Sequence, residues 1–427
     1  MRGAIEKKAP LWGANNNSLS GTRKSITGEI VLLSAFFLYC VKYTFDYSEI
    51  FVRTERLNSL LLVLSVGLPV LKIVFMQRYS MLRLVVTAAT ALVMGASCLL
   101  GGNFLFLNGF LFILAMQDIE LDKIVRLNYW FKVASIVFHV LWYIVLYVVA
   151  PESINFFYRT AGEPRHSFLM GHPNLFMAIL VWTCLEFVYL NYGRLRARHI
   201  VFMWAANLAF YAFTDSNTGI VVLAVCTLLI AMDKLGRGHF SKLLTMLAKY
   251  LYAACALLFS LMAIVYTWLG PAQKAIWHQI DALLTGRMWY SAYAFDVYGF
   301  TILGRQLDFP SKIFWGDRWL DGFAYFDNYY HGNLILFGII HMVLTALIFV
   351  IYGSKMEARD KIIVVAFALY GGMESYVTNV LMCFALLIVG KYIYMPAKEL
   401  PKKELPANGP AAPPNEKEPL WKRPLTG

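Results

Sequence analysis

Lys249-Tyr-Leu-Tyr-Ala-Ala-Cys-Ala-Leu-Leu-Phe-Ser-Leu-Met-Ala-Ile-Val-Tyr-Thr-Trp-Leu-Gly270 carries no charge after its first residue. A helix rises about 1.5 Å per residue, so about 20 apolar residues reach across a hydrocarbon core about 30 Å thick. The stretch therefore predicts a membrane helix. Apolar runs recur along the chain, about twelve in all, over roughly 28–45, 57–76, 81–100, 103–117, 129–150, 174–192, 199–213, 219–232, 249–270, 332–352, 361–375 and 377–394. The composition agrees: 59% of the 427 residues are hydrophobic and only 15% are charged, with a mean hydropathy of +0.57. Soluble domains are about a quarter charged and just under half apolar. The expected fold class is all-α, a polytopic integral membrane protein, and a water-soluble enzyme is excluded.

The charges order these runs. Lys and Arg exceed Asp and Glu by 38 to 26, a net charge of +12. Nucleic acid is not the expected partner, because the excess falls in short loops between apolar runs. If the N-terminus is cytoplasmic, every even-numbered span returns to a basic loop. These loops hold Arg78 and Arg83; Lys123 and Arg126; Arg194, Arg196 and Arg198; Lys234, Arg237 and Lys242; and Lys355, Arg359 and Lys361. That is the pattern of the positive-inside rule, and it places both termini inside. The expected division is a cytoplasmic segment 1–27, a transmembrane domain 28–395, and a disordered cytoplasmic tail 396–427 rich in Pro, Lys and Glu. The six cysteines all lie inside apolar runs and read as small buried hydrophobes, without metal-ligand spacing.

Two outer loops are long, 151–173 and 271–331. The second is rich in aromatics, including Trp277, Trp289, Tyr290, Trp315, Trp319, Phe323 and Tyr325. Disordered chain is poor in such residues, so an ordered loop with short helices is expected, and long ordered loops usually carry function. The first loop gathers Arg165, His166 and His172 ahead of Pro173 and Asn174, which also suit a helix start, with Pro173 in the first turn and Asn174 near the cap. The second holds Gly286-Arg287 among aromatics and ends on Asp327-Asn328-Tyr329-Tyr330-His331. Arginine presents a planar fork of donors suited to phosphate. Arg305 and Arg318 read more simply as side chains reaching for headgroups. Asp327 also suits a helix N-cap. His139 and His341, inside spans, read as packing or polar contacts between helices. Glu374, in the penultimate run, is costly in a membrane and belongs in a cavity.

Taken in order, these pieces resemble the bacterial O-antigen polymerase and ligase family, whose members are lipid-linked glycosyltransferases. Arg165, Phe168 and His172-Pro173-Asn174 resemble that family's Arg…Phe…His-Pro-Asn element. Thr214-Asp215-Ser216-Asn217-Thr218-Gly219 resembles its next outer turn, with Asn217 where Arg is common. Gly286-Arg287, with Tyr290 downstream, is similar to the Gly-Arg element of the family's large loop, and Gly304 follows. Asp327-Asn328 and Tyr330, with Gly338-Ile339-Ile340, resemble the element that closes that loop. The likeness runs from about Arg159 to Tyr394; the first four spans match only in kind.

The resemblance implies a polymerase that joins undecaprenyl-pyrophosphate-linked oligosaccharide repeat units on the outer face of the bacterial cytoplasmic membrane. It implies an inverting, metal-independent reaction without cofactor. Arg165 and Arg287 would clamp the pyrophosphate. The base would be Asp327, standing where family ligases carry His, or His331 four residues on, which shares a face with Asp327 if the helix begins early. His172, Asn174, Tyr330 and Glu374 are accessory candidates. The implied partners are the lipid-linked glycan, the bilayer, a chain-length regulator and a flippase. Two rival readings are a ligase moving finished glycan to an envelope acceptor and a flippase for the same lipid. Against the flippase stands the lack of any clear duplication of halves.

Overall fold

The computed structural model describes residues 16–51, 54–102, 105–158, 162–236, 238–283, 286–307, 313–315, 318–320 and 326–394. Most of the segment 1–27, all of the tail 396–427, and Arg159, Phe323 and Tyr325 lie outside the described residues. The helices in chain order are α1 (Asn16–Tyr47), α2 (Glu55–Phe75), α3 (Met81–Gly101), α4 (Leu105–Leu114), α5 (Leu121–Val149), α6 (Pro173–Asn191), α7 (Ala197–Thr214) and α8 (Asn217–Leu235). Then follow α9 (Ser241–Trp268), α10 (Pro271–Leu283), α11 (Arg287–Tyr298), α12 (Tyr329–Leu336), α13 (Ile339–Tyr352), α14 (Ala358–Gly371) and α15 (Ala385–Tyr394). Two antiparallel hairpins, β1 (Phe156–Tyr158) with β2 (Pro164–His166) and β3 (Ile313–Trp315) with β4 (Arg318–Leu320), sit in the two long loops.

Each of the twelve expected apolar runs is helical in whole or in part. Among the described residues, seven helices are long and apolar enough to cross a membrane. The fourth run is a helix of only 10 residues. The tenth is broken at Gly338 into α12 and α13, and the twelfth is helical only from Ala385 apart from a 3-10 turn at Ser375–Thr378. Burial sorts centre from periphery. The most apolar window of α6 is 78% buried, against 22% for α2, α3, α5 and α9. The peripheral helices carry exposed Leu60, Val74, Val85, Leu92, Trp142, Val148, Leu257 and Leu258. Lipid is the solvent that such surfaces suit.

The basic loops meet at one end. Lys123 pairs with Glu29 at 2.8 Å, Arg359 with Asp122 at 3.0 Å, and Lys361 donates to Thr245 at 2.9 Å. Tyr192 donates to Asp233, and Arg83 lies 5.5 Å over the Tyr394 ring. The two long loops lie at the opposite end, where the second forms the short helices α10, α11 and α12. Here two glycines lock that loop to the break in the tenth run. Gly304 and Gly338 have φ of 104° and 90°, and a Cβ on either would fall 2.2 Å from Leu336 O or 2.3 Å from Ile302 O. The Ile339 and Ile340 amides, freed by the break, donate to Thr301 O and Ile302 O.

Candidate functional site

Arg165 projects from β2, paired across the hairpin with Phe157. Two strained turns hold it. Of the four non-glycine residues with positive φ among the described residues, Phe168, Leu169 and Asp215 flank this arginine. Such conformations cost about 1–3 kcal/mol each and persist only where surroundings over-determine them. Arg165 is 8% exposed. Its Nε donates to Thr214 O at 2.7 Å, and its Nη2 to Asn174 Oδ1 at 2.7 Å and Asp215 O at 3.4 Å.

The start of α6 explains why Asn174 is available. His172 is the N-cap, its Nδ1 accepting from the Asn174 amide at 3.1 Å, and Pro173 is the first helical residue. The capping role expected near Asn174 belongs to His172, whose ring packs edge-on to Phe157. Asn174 therefore spends its side chain across the site: beyond accepting from Arg165, its Nδ2 donates to Glu374 Oε1 at 3.1 Å.

Glu374 follows the end of α14, where Gly371-Gly372 terminate the helix. It is 2% exposed. Its Oε1 also accepts from Arg287 Nη2 at 2.8 Å. Arg287 opens α11 after Gly286, whose φ is 82°. Asp281 stabilises that start from the preceding helix, its Oδ1 accepting from the Met288 and Trp289 amides at 2.8 and 3.4 Å. On its other side Arg287 Nε lies 4.0 Å from Asp327 Oδ2.

The alternative reading of Asp327 as an N-cap is corrected. Asn328 caps α12, accepting from the Tyr330 and His331 amides at 2.9 and 3.2 Å while donating to Gly372 O at 2.9 Å. Asp327 stands one residue before the cap with its side chain 40% exposed. Burial raises its carboxyl above the ordinary range, and the Arg287 charge draws it back. Because α12 begins only at Tyr329, the condition under which Asp327 and His331 share a helix face is not met.

His331 is buried and stacks beside Phe300. It lines a small cavity with Arg287, Met288, Ser291, Asn328 and Gly372. Burial pushes its imidazole toward the neutral form. The Tyr330 hydroxyl donates to Ala368 O at 2.7 Å, and its ring stacks on Phe259. His139 bridges Ser135 O and Ser48 Oγ, a contact between segments. His341 packs against Phe337.

One chain of contacts thus runs Arg165–Asn174–Glu374–Arg287–Asp327, drawn from β2, α6, the break after α14, α11 and the lead into α12. Two cations face two carboxylates. Arg287 meets its carboxylates through one hydrogen bond to Glu374 and a 4.0 Å approach to Asp327, and guanidinium is a group suited to forked binding of phosphate oxygens. Among the described residues no cluster of three or more His, Cys, Asp or Glu is placed to hold a metal ion.

Sequence reasoning missed Asp281 and a second polar cluster deep in the bundle. There Lys132 of α5 and Glu186 of α6 pair at 2.7 Å, both buried, beside Asn128. The signal was present: an ionisable residue inside an apolar run. No known family model, no curated protein and no solved structure matches this chain.

Proposed function

We propose that this chain is a membrane glycosyltransferase that joins undecaprenyl-pyrophosphate-linked oligosaccharide repeat units on the outer face of the bacterial cytoplasmic membrane. The observation that carries the reading is the linkage of Arg165 and Arg287 through Asn174 and Glu374, beside the part-exposed carboxylate of Asp327. This group lies at the end of the bundle away from the basic loops, which the positive-inside rule assigns to the cytoplasm.

In the proposed reaction an acceptor hydroxyl attacks the anomeric carbon of the donor glycan. The bond from that carbon to the pyrophosphate oxygen breaks, and configuration inverts. The hydroxyl proton passes to Asp327, and undecaprenyl pyrophosphate leaves with its charge held by Arg287, Arg165 acting through the shared scaffold. Fixed donors aimed at developing charge are often the largest catalytic contribution. Asp327 is the better base candidate because it reaches solvent, whereas His331 is enclosed. Once phosphate engages Arg287, the charge that lowers the Asp327 carboxyl is diverted, and its basicity rises.

Reconstitution with the native lipid-linked repeat unit, with product size read on a gel, tests this reading. Polymer formed by the wild type, and single units left unjoined by Arg287→Ala, are expected. Transfer of one finished glycan to an envelope acceptor identifies a ligase instead, and movement of the lipid between leaflets without glycan transfer overturns the enzyme. Loss of activity with EDTA overturns the metal-independent mechanism.

A further inference from the structure

The stretch between α14 and α15, residues 372–384, is largely non-helical yet buried almost throughout. Backbone of this kind is tolerated at membrane depth only where protein or a water-lined cavity satisfies its polar groups. The donors come from far away in sequence. Asn128 Nδ2 donates to Leu381 O at 2.9 Å, and Lys132 Nζ to Met382 O at 3.0 Å. Glu186 Oε1 accepts from both side chains at 2.7 Å, so the cation that serves the carbonyl is itself neutralised. A third tether comes from α1: Tyr39 donates to Asn379 Oδ1 at 2.7 Å, and Asn379 Nδ2 donates to Tyr47 at 2.9 Å.

The other end of the same stretch is the site. Gly372 O accepts from Asn328, and Glu374 holds Arg287 and Asn174. Between the two ends lies only a 3-10 turn, Ser375–Thr378, closed by Thr378 Oγ1 on Ser375 O, and then Asn379, whose side chain caps Leu381 N–H. The connection is short and internally bonded, with Asn379 also tied to Tyr39 and Tyr47 of α1.

We propose that the buried Lys132–Glu186 pair is a positioning device for the candidate site: by holding Leu381 and Met382 it sets where Glu374 stands, and thereby how Arg287 is presented. The inference rests on the proposed function only in treating Arg287 and Glu374 as working residues. A buried pair is weak evidence of stabilisation, since apolar residues of similar volume often replace one without loss. The pair's use here is the carbonyl it reaches.

The test compares wild type, Lys132→Arg and the double variant Lys132→Met with Glu186→Met, all full-length in lipid nanodiscs. The carboxylate infrared band of Glu374 is identified by its loss in Glu374→Gln. In the double variant the Met382 carbonyl loses its donor, so the protein assembles with a lowered thermal midpoint. The Glu374 band shifts, amide exchange within 372–384 rises by about tenfold or more, and exchange in α2, α3 and α7 is unchanged. Lys132→Arg retains the wild-type band. If the double variant fails to assemble, Lys132→Met with Glu186→Gln, which removes the pair without stranding a charge and keeps an amide beside Asn128, gives the same comparison. A wild-type band with wild-type exchange overturns the positioning role, whatever the activity does. A shifted band alongside a wild type that transfers no glycan leaves the positioning role standing and overturns the proposed reaction instead.

Discussion

At the scale of single residues, capping decides which side chains are left for chemistry. His172 caps α6 and releases Asn174; Asn328 caps α12 and releases Asp327. The distinction between base candidates becomes measurable through acidity. A carboxylate base works deprotonated, so product formation falls as pH drops through its pKa. Burial raises the Asp327 carboxyl, so the acid limb of the pH–rate profile lies above the ordinary Asp value of about 4. Arg287 holds it down in the free protein, so in the kcat/KM profile Arg287→Gln moves the limb to still higher pH in whatever activity survives. Asp327→Asn removes the limb and lowers turnover by about 10²- to 10⁴-fold, the usual share of a general base. An unmoved limb in Asp327→Asn overturns the assignment. The residues Arg165, Arg287, Asp327 and Glu374 were legible in sequence because they are polar exceptions beside apolar runs. Their linkage was not, because Asn174 and Glu374 bond across a sequence separation of 200 residues that no local pattern encodes.

At the scale of elements, hydropathy located the helical runs but not their breaks. Residues 377–394 read as one span because apolar composition is blind to backbone conformation, and the groups that stabilise the break sit on α1, α5 and α6. Gly338 was visible in the sequence, but its purpose was not: it admits Ile302 O where any Cβ would collide. Gly338→Ala combines that collision with a positive φ, so it disrupts the junction of the long loop with α13. Its expected result is a protein that fails to accumulate or unfolds at markedly lower temperature. Asn328→Ala is milder. Losing an N-cap costs about 0.5–2 kcal/mol, and the bond to Gly372 is lost as well. A lower thermal midpoint is expected, with increased amide exchange at both 326–333 and 372–384. Exchange confined to 326–333 shows that Asn328 caps α12 without tying it to the break.

At the scale of the whole molecule, the five basic loops converge on one end and the candidate site occupies the other. This arrangement links the charge pattern to the chemistry. The positive-inside rule assigns the basic end to the cytoplasm, and the proposed reaction requires the site end to face outward, where finished polymer need not recross the membrane. Glu152 and Ser354 are exposed at opposite ends, and all six native cysteines are at least partly buried. Single substitutions Glu152→Cys and Ser354→Cys therefore report sidedness against a quiet background. With a membrane-impermeant maleimide on intact cells, or on spheroplasts if an outer membrane intervenes, Glu152→Cys is labelled at once and Ser354→Cys only after permeabilisation. The reverse pattern puts Arg165 and Arg287 in the cytoplasm, where polymer built on the lipid must still be exported. It overturns the outer-face reaction while leaving the fold intact.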